Sequence, residues 1–203
     1  MNQWEKLADG ETLKKVATSL KDNNIEVIVV ENGEEARKRA MELLPKGAEV
    51  MTMSSLTLDT IGVAKEINES GNYNAVRPKL MNMDRKTKGL EMQKMGAAPE
   101  WAVGSVNAII ESGQILIASA TGSQLSAYVY GSTHVVWIVG TQKIVKNLDL
   151  GFRRVNEYAF PLEDTRARKA YGMGSGVNKI LIMNKETTPG RITVIFVKEK
   201  LGF

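Results

Sequence analysis

Apolar residues along this chain switch repeatedly between the three-to-four spacing of a helix and the short unbroken runs of a strand. Leu13, Val16, Ala17 and Leu20 share one helical face, which predicts an amphipathic helix ending at the Asp22-Asn23-Asn24 turn. Ile25-Glu26-Val27-Ile28-Val29-Val30 is β-branched and almost wholly apolar, the composition of a parallel strand buried on both faces. Asn32 with Glu35 three residues on resembles a helix cap. Ala36, Ala40, Leu43 and Leu44 form the stripe of the helix that follows, and Pro45-Lys46-Gly47 stops it. A strand from Glu49 to Met53 then runs through Ser54-Ser55-Leu56-Thr57 into a helix with Ile61, Ala64 and Ile67 on one side.

From Ala75 to Pro99 the pattern loses its clear stripe: Arg77, Lys79, Arg85, Lys86, Lys88 and Lys94 mix with Met81, Met83, Met92 and Met95. This reads as a helical, partly peripheral segment whose methionines fill gaps in the core. Gln114 to Ser119 is the next strand, followed by the tight loop Ala120-Thr121-Gly122, a short helix from Ser123 to Tyr130 and a cap at Gly131. His134 to Val139 is a strand with Gly140-Thr141-Gln142-Lys143 behind it. Leu148, Phe152, Val155 and Ala159 mark a helix that Pro161 should end. Lys179 to Met183 and Arg191 to Val197 predict two strands joined through Thr188-Pro189-Gly190 as a closing hairpin. The whole predicts an α/β fold: a Rossmann-like open, mostly parallel sheet with helices on both faces and an antiparallel C-terminal edge hairpin. No linker divides residues 1–203, so one domain, folding alone or as a homo-oligomer, is expected.

Composition removes several chemistries. The 203 residues include no cysteine and one histidine, His134, which rules out disulfides, thiolate zinc sites and cysteine-ligated iron–sulfur clusters in this chain, and any multi-histidine metal site. His134, at the start of an apolar strand, reads as a packed or edge residue. No apolar run reaches the roughly 20 residues that span a bilayer, and a cytoplasmic protein is the simplest expectation. A net charge of +4 from 27 basic and 23 acidic residues is too mild for nucleic-acid binding and suits a small anionic metabolite.

In open α/β sheets the crevice lies at the carboxyl ends of the strands. Three loops fall there: Ser54, Ser55 and Thr57 in the first; Ser119, Thr121, Gly122, Ser123 and Gln124 in the second; Gly140, Thr141 and Lys143 in the third. Hydroxyls, amides and glycine backbone are what a phosphate or carboxylate needs, and Lys143 adds a point charge. Any one loop alone reads more simply as helix caps and tight turns, and it is the three together that point to a ligand. Glu111, in Glu111-Ser112-Gly113 ahead of a strand, is the candidate nucleophile or base, against the plain reading of a solvated turn. Gly172, Gly174 and Gly176 lead into a strand and open no helix, so they support no nucleotide loop. Their alternative role is a lid over the crevice.

Several blocks in order resemble the LUD-domain (lactate utilization protein) family: Pro45 to Val50, Ser54 to Gly62, Gly104-Ser105-Val106-Asn107-Ala108, Glu111-Ser112-Gly113, Ser119 to Gln124, Val139 to Val145, and Arg153-Arg154 before Pro161. The resemblance adds Gly104, Ser105 and Asn107 to the candidate ligand residues. It implies a fold similar to the ribose-phosphate isomerase, glucosamine-phosphate deaminase and CoA-transferase group, and a link to L-lactate oxidation beside iron–sulfur subunits. This cysteine-free chain would be the cluster-free component of such an assembly. The family implies no firm catalytic set. Two other readings stay open: a stand-alone phosphosugar-isomerase-like or acyl/CoA-transferase-like enzyme using Glu111 or another carboxylate, and a non-catalytic regulatory module whose crevice is filled by Tyr128, Tyr130 or Trp101.

Overall fold

The computed structural model describes residues 2–203. Ten strands carry the fold: β1 (Glu26–Val30), β2 (Glu49–Thr52), β3 (Asn74–Ala75), β4 (Trp101–Gly104), β5 (Ala108–Ile110), β6 (Ile115–Ser119), β7 (His134–Gly140), β8 (Ile144–Val145), β9 (Lys179–Met183) and β10 (Ile192–Val197). The helices are α1 (Gly10–Asp22), α2 (Gly33–Leu43), α3 (Leu56–Thr60), α4 (Val63–Glu69), α5 (Val76–Met81), α6 (Arg85–Ala97), α7 (Ser123–Ser126), α8 (Leu148–Arg154) and α9 (Phe160–Tyr171). Six strands form an all-parallel sheet in the order β1-β10-β7-β4-β2-β3, and four form a mixed sheet in the order β8-β5-β6-β9.

Alternation along the central strand β7 shows how the parallel sheet is covered on both faces. Val135, Trp137 and Val139 pack on one side with Leu13, Val16 and Leu20 of α1, with Tyr128, and with Ile109, Ile115 and Ile117 of the mixed sheet. Val136 and Ile138 pack on the other side with Ala36 and Ala40 of α2, Leu58 of α3, and Val63 and Ile67 of α4. The far face of the mixed sheet buries Ala108, Ile110 and Leu116 against Trp4, Val155 and Tyr158. The expected cap at Asn32 forms, its side chain accepting from Glu35 N–H at the start of α2, and Asp9 accepts from Thr12 N–H at the start of α1. His134 stacks on Trp101, ring centroids 4.1 Å apart.

The structure refines the sequence reading at five places. The C-terminal strands do not form a hairpin with each other: β9 lies antiparallel to β6 at the edge of the mixed sheet, and β10 enters the parallel sheet between β1 and β7. The antiparallel edge therefore belongs to a second sheet. β1 is an edge strand, so only Val30 of it is buried and Val29 stays 43% exposed. The helix expected through Ile61, Ala64 and Ile67 breaks at Gly62, whose left-handed φ of 76° caps α4.

Pro161 does not end a helix. A single π-helical turn, Val155–Ala159, links α8 to α9, with Phe160 N–H donating to Val155 C=O, and Pro161 takes the second position of α9, where its missing N–H costs little. The segment from Glu163 to Arg168 is thus helical. Nor are the methionines core: α6 has no buried residue and Met81 is 77% exposed, because the apolar positions there are scattered around the helix and form no stripe.

Candidate functional site

A crevice of about 360 Å³ opens where the carboxyl ends of β2 and β4 meet the end of β6 and the wall of α9. Ser54, Ser55 and Thr57 reach it from beyond β2, Ser105 and Asn107 from beyond β4, and Ser119, Thr121, Ser123 and Gln124 from beyond β6. Lys143 enters from the 3-10 turn Thr141–Lys143 that follows β7. The loops after β2, β4 and β7 converge because parallel strands deliver their carboxyl ends to one edge, and the mixed sheet packed beside them brings the end of β6 to the same place.

Four of the candidate residues serve this edge from behind. Gly104 lets Tyr128 approach: a Cβ there would sit 1.8 Å from the phenol oxygen. Gly122, at φ 84°, turns the chain into α7 beneath the Lys179 side chain, and Lys179 Nζ donates to Thr121 C=O at 2.6 Å. Gly140 makes room for the Gln142 side chain and the Glu199 backbone. Thr141 is buried, its Oγ1 unpaired among the described residues. The second loop is closed on itself by Ser119 Oγ, which accepts from Gly122 N–H at 2.9 Å.

Glu111 stands away from the crevice. It sits in the turn between β5 and β6, where it pairs with Lys15 of α1 at 2.7 Å while Ser19 Oγ donates to its carbonyl at 3.0 Å. α3 and α7, the helices behind the first two loops, are five and four residues long, too short for a strong end dipole. The positive character of the crevice therefore comes from side chains.

Lys143 supplies it. The residue is only 3% exposed, and its ammonium donates to Ser105 Oγ at 3.1 Å, to Val106 C=O at 3.2 Å and to Thr57 Oγ1 at 3.4 Å. Both hydroxyls act as acceptors, because Ser105 Oγ donates to Ile138 C=O at 2.7 Å and Thr57 Oγ1 to Leu201 C=O at 3.3 Å. Three N–H groups thus meet three neutral oxygens and no carboxylate: Lys143 takes part in none of the ion pairs among the described residues. Burial, helped by the nearby Arg154, pulls its pKa down to about 7.

Arg154 is the second uncompensated cation. It is fully buried at the end of α8, donates through Nη1 to Asn107 C=O at 2.6 Å, and faces the Tyr158 ring at 5.3 Å. Its Nε and Nη2 have no partner among the described residues, and burial lowers its pKa to about 10. The opposite wall is α9 with the glycine run beyond it. There Arg166 grips Glu163 through two bonds of 2.8 and 2.7 Å, and Tyr171, Met173, Gly174, Ser175 and Gly176 close the rim. The run Gly172 to Gly176 therefore borders the crevice and leads on to β9.

Sequence reasoning missed the burial of Lys143 and the presence of Arg154, Glu163 and Arg166 at or beside the site. The sequence carried one signal for Arg154: its place in Arg153-Arg154, ahead of a helix continuing to Tyr171. No group of His, Cys, Asp or Glu among the described residues is placed to hold a metal ion, and no described helix is long and apolar enough to cross a membrane.

Fold and site together define an α/β protein with a parallel-sheet crevice floored by a buried lysine that has no acidic partner. Residues 13–197 match the sequence profile of the LUD domain, and the chain belongs to that family. It is also similar in structure to a DUF162 family protein from Deinococcus radiodurans, with a TM-score of 0.59 over 95% of this chain and 99% of that one. At 13% identity this likeness shows a shared fold alone. No curated protein matches the sequence.

Proposed function

We propose that the protein binds a small organic anion, a carboxylate or a phosphorylated metabolite, in the crevice over Lys143, and that it does so as a component of lactate utilization. The observation that carries this reading is the buried ammonium with three neutral acceptors and no carboxylate. A buried charge without a partner is costly, and a ligand that brings the opposite charge removes that cost. The hydroxyls of Ser54, Ser55, Thr121 and Ser123 at the same crevice offer the neutral donors that orient such a ligand. Family membership supplies the link to lactate oxidation, in which iron–sulfur subunits would carry the electrons that this cysteine-free chain cannot.

The test is a thermal-shift screen against lactate, pyruvate, phosphosugars and CoA esters, since a ligand that binds only the folded state raises the melting temperature by mass action. The expected result is a concentration-dependent rise in the wild type that is lost in Lys143→Met. A screen with no response from any anion would remove the reading.

A second reading is a stand-alone enzyme in which Lys143 moves a proton. One observation favours it: an amine with a pKa of about 7 in a crevice is matched to general-base work at neutral pH. Glu111, in the turn between β5 and β6 and paired with Lys15 away from the crevice, has no part in it. Turnover of a phosphosugar that vanishes in Lys143→Met yet persists in Glu111→Gln is its expected signature.

A further inference from the structure

The crevice is larger and less polar than a three-carbon acid requires. Lactate has six non-hydrogen atoms; at roughly 30 Å³ each, the volume share of a liquid water, they fill no more than about half of the space. The remainder is walled by apolar groups: Ile117 from β6, Phe160 from α9, and Tyr171, Met173 and Val177 from the rim. Tyr171 and Met173 are 58% and 71% exposed, so large apolar surface stands open to water at the mouth of the site. Arg166 lies over the Tyr171 ring at 5.5 Å and is held by Glu163, which fixes this wall in place. A site with one cationic end and one aromatic end selects molecules built the same way.

We infer that the ligand has two parts, an acidic head placed over Lys143 and an apolar, preferably aromatic, body lying against Phe160, Tyr171 and Met173. The inference rests on the anion-site reading above and narrows it: the substrate class is an aryl- or alkyl-substituted organic acid. The head brings the negative charge that the buried ammonium's neutral partners do not supply, and the body covers apolar surface that otherwise faces solvent, worth about 25 cal/mol for each Å² removed from water.

The test compares L-lactate with L-3-phenyllactate, which share the acidic head and differ by the ring, in calorimetric titrations of the whole chain. Phenyllactate is expected to bind at least tenfold more tightly. Phe160→Ala should bring the two affinities together, and Lys143→Met should weaken both in parallel. Tyr171→Ala, a truncation at a position that is 58% exposed, gives the same readout if Phe160→Ala does not fold. Equal affinities of the two acids, or a phenyllactate affinity unchanged in both aromatic variants, would overturn the inference and leave the anion site standing. Failure of both acids to bind would remove the anion site and the inference with it.

Discussion

Lys143 holds two properties that pull in opposite directions. Its three hydrogen bonds join the loop after β2, the loop after β4 and the turn after β7, so it ties three strand ends together. Its charge, without a carboxylate, opposes folding. The folded-state pKa of about 7 lies below the ordinary lysine value near 10.4. Between those limits the unfolded chain holds the proton and the folded chain does not, so stability should rise with pH from about 7 to about 10. Below pH 7 both states are protonated and the burial penalty is fully present. Lys143→Met keeps most of the volume and discards the charge. Its unfolding free energy at pH 7, measured by denaturant titration, is expected to exceed the wild type's by about 1–3 kcal/mol, with the rise toward pH 10 reduced. A variant that is more stable yet blind to anions marks a residue retained for binding. A loss of stability would instead mean that the three hydrogen bonds outweigh the desolvation.

At the scale of elements, two π-helical turns set the walls of the crevice. Ala127–Gly131 follows α7 and places Tyr128, whose phenol, pushed to higher pKa by burial, meets the backbone of Gly104. Arg191 holds that turn by donating to the carbonyls of Ala127 and Tyr128 at 3.2 and 2.9 Å while paired with Glu186 at 2.6 Å, both side chains buried. The second turn, Val155–Ala159, adds one residue between α8 and α9 and so decides which face of α9 looks into the crevice. Asn156 is exposed, its side chain donating only to Phe152 C=O at 2.8 Å. Deleting it should restore an α-helical register and rotate α9 by about 100°, one residue's step. Phe160, Glu163 and Arg166 would then leave the crevice. The expected outcome is a protein with wild-type circular dichroism in which anion affinity falls at least tenfold. Unchanged affinity would show that α9 takes no part in the site.

For the molecule as a whole, the sequence was legible where local pattern decides and silent where distant pairing decides. The order of strands and helices, the cap at Asn32, and the polar loops after β2, β6 and β7 followed from periodicity and turn chemistry. β4 and β5 did not, because runs of four and three residues with Ala and Gly among them give no periodic signal. The central place of β10 was hidden because a strand's sequence states that it is buried and leaves its partner unstated. Lys143 was legible as a charge in a ligand loop and Arg154 as half of the Arg153-Arg154 pair, but nothing local states that either is buried: nearly all lysines and arginines are solvated, and only tertiary packing makes these two exceptional.

The same distribution of packing predicts how stability is spread. β7 and β10 are buried along almost their whole length between two helical layers, whereas α6, at Arg85–Ala97, buries nothing. Local opening tracks lost apolar contact, so amide hydrogen exchange should be fastest in α6 and slowest in β7 and β10. A ligand in the crevice has no contact with α6 and borders the segment from Tyr171 to Val177. Adding an anion that raises the melting temperature should therefore slow exchange at residues 171–177 and at the loops after β2 and β6, while α6 exchanges at its former rate. Protection spreading equally to α6 would mean that the ligand tightens the whole fold, and that the crevice edge is not a separately ordered part of the molecule.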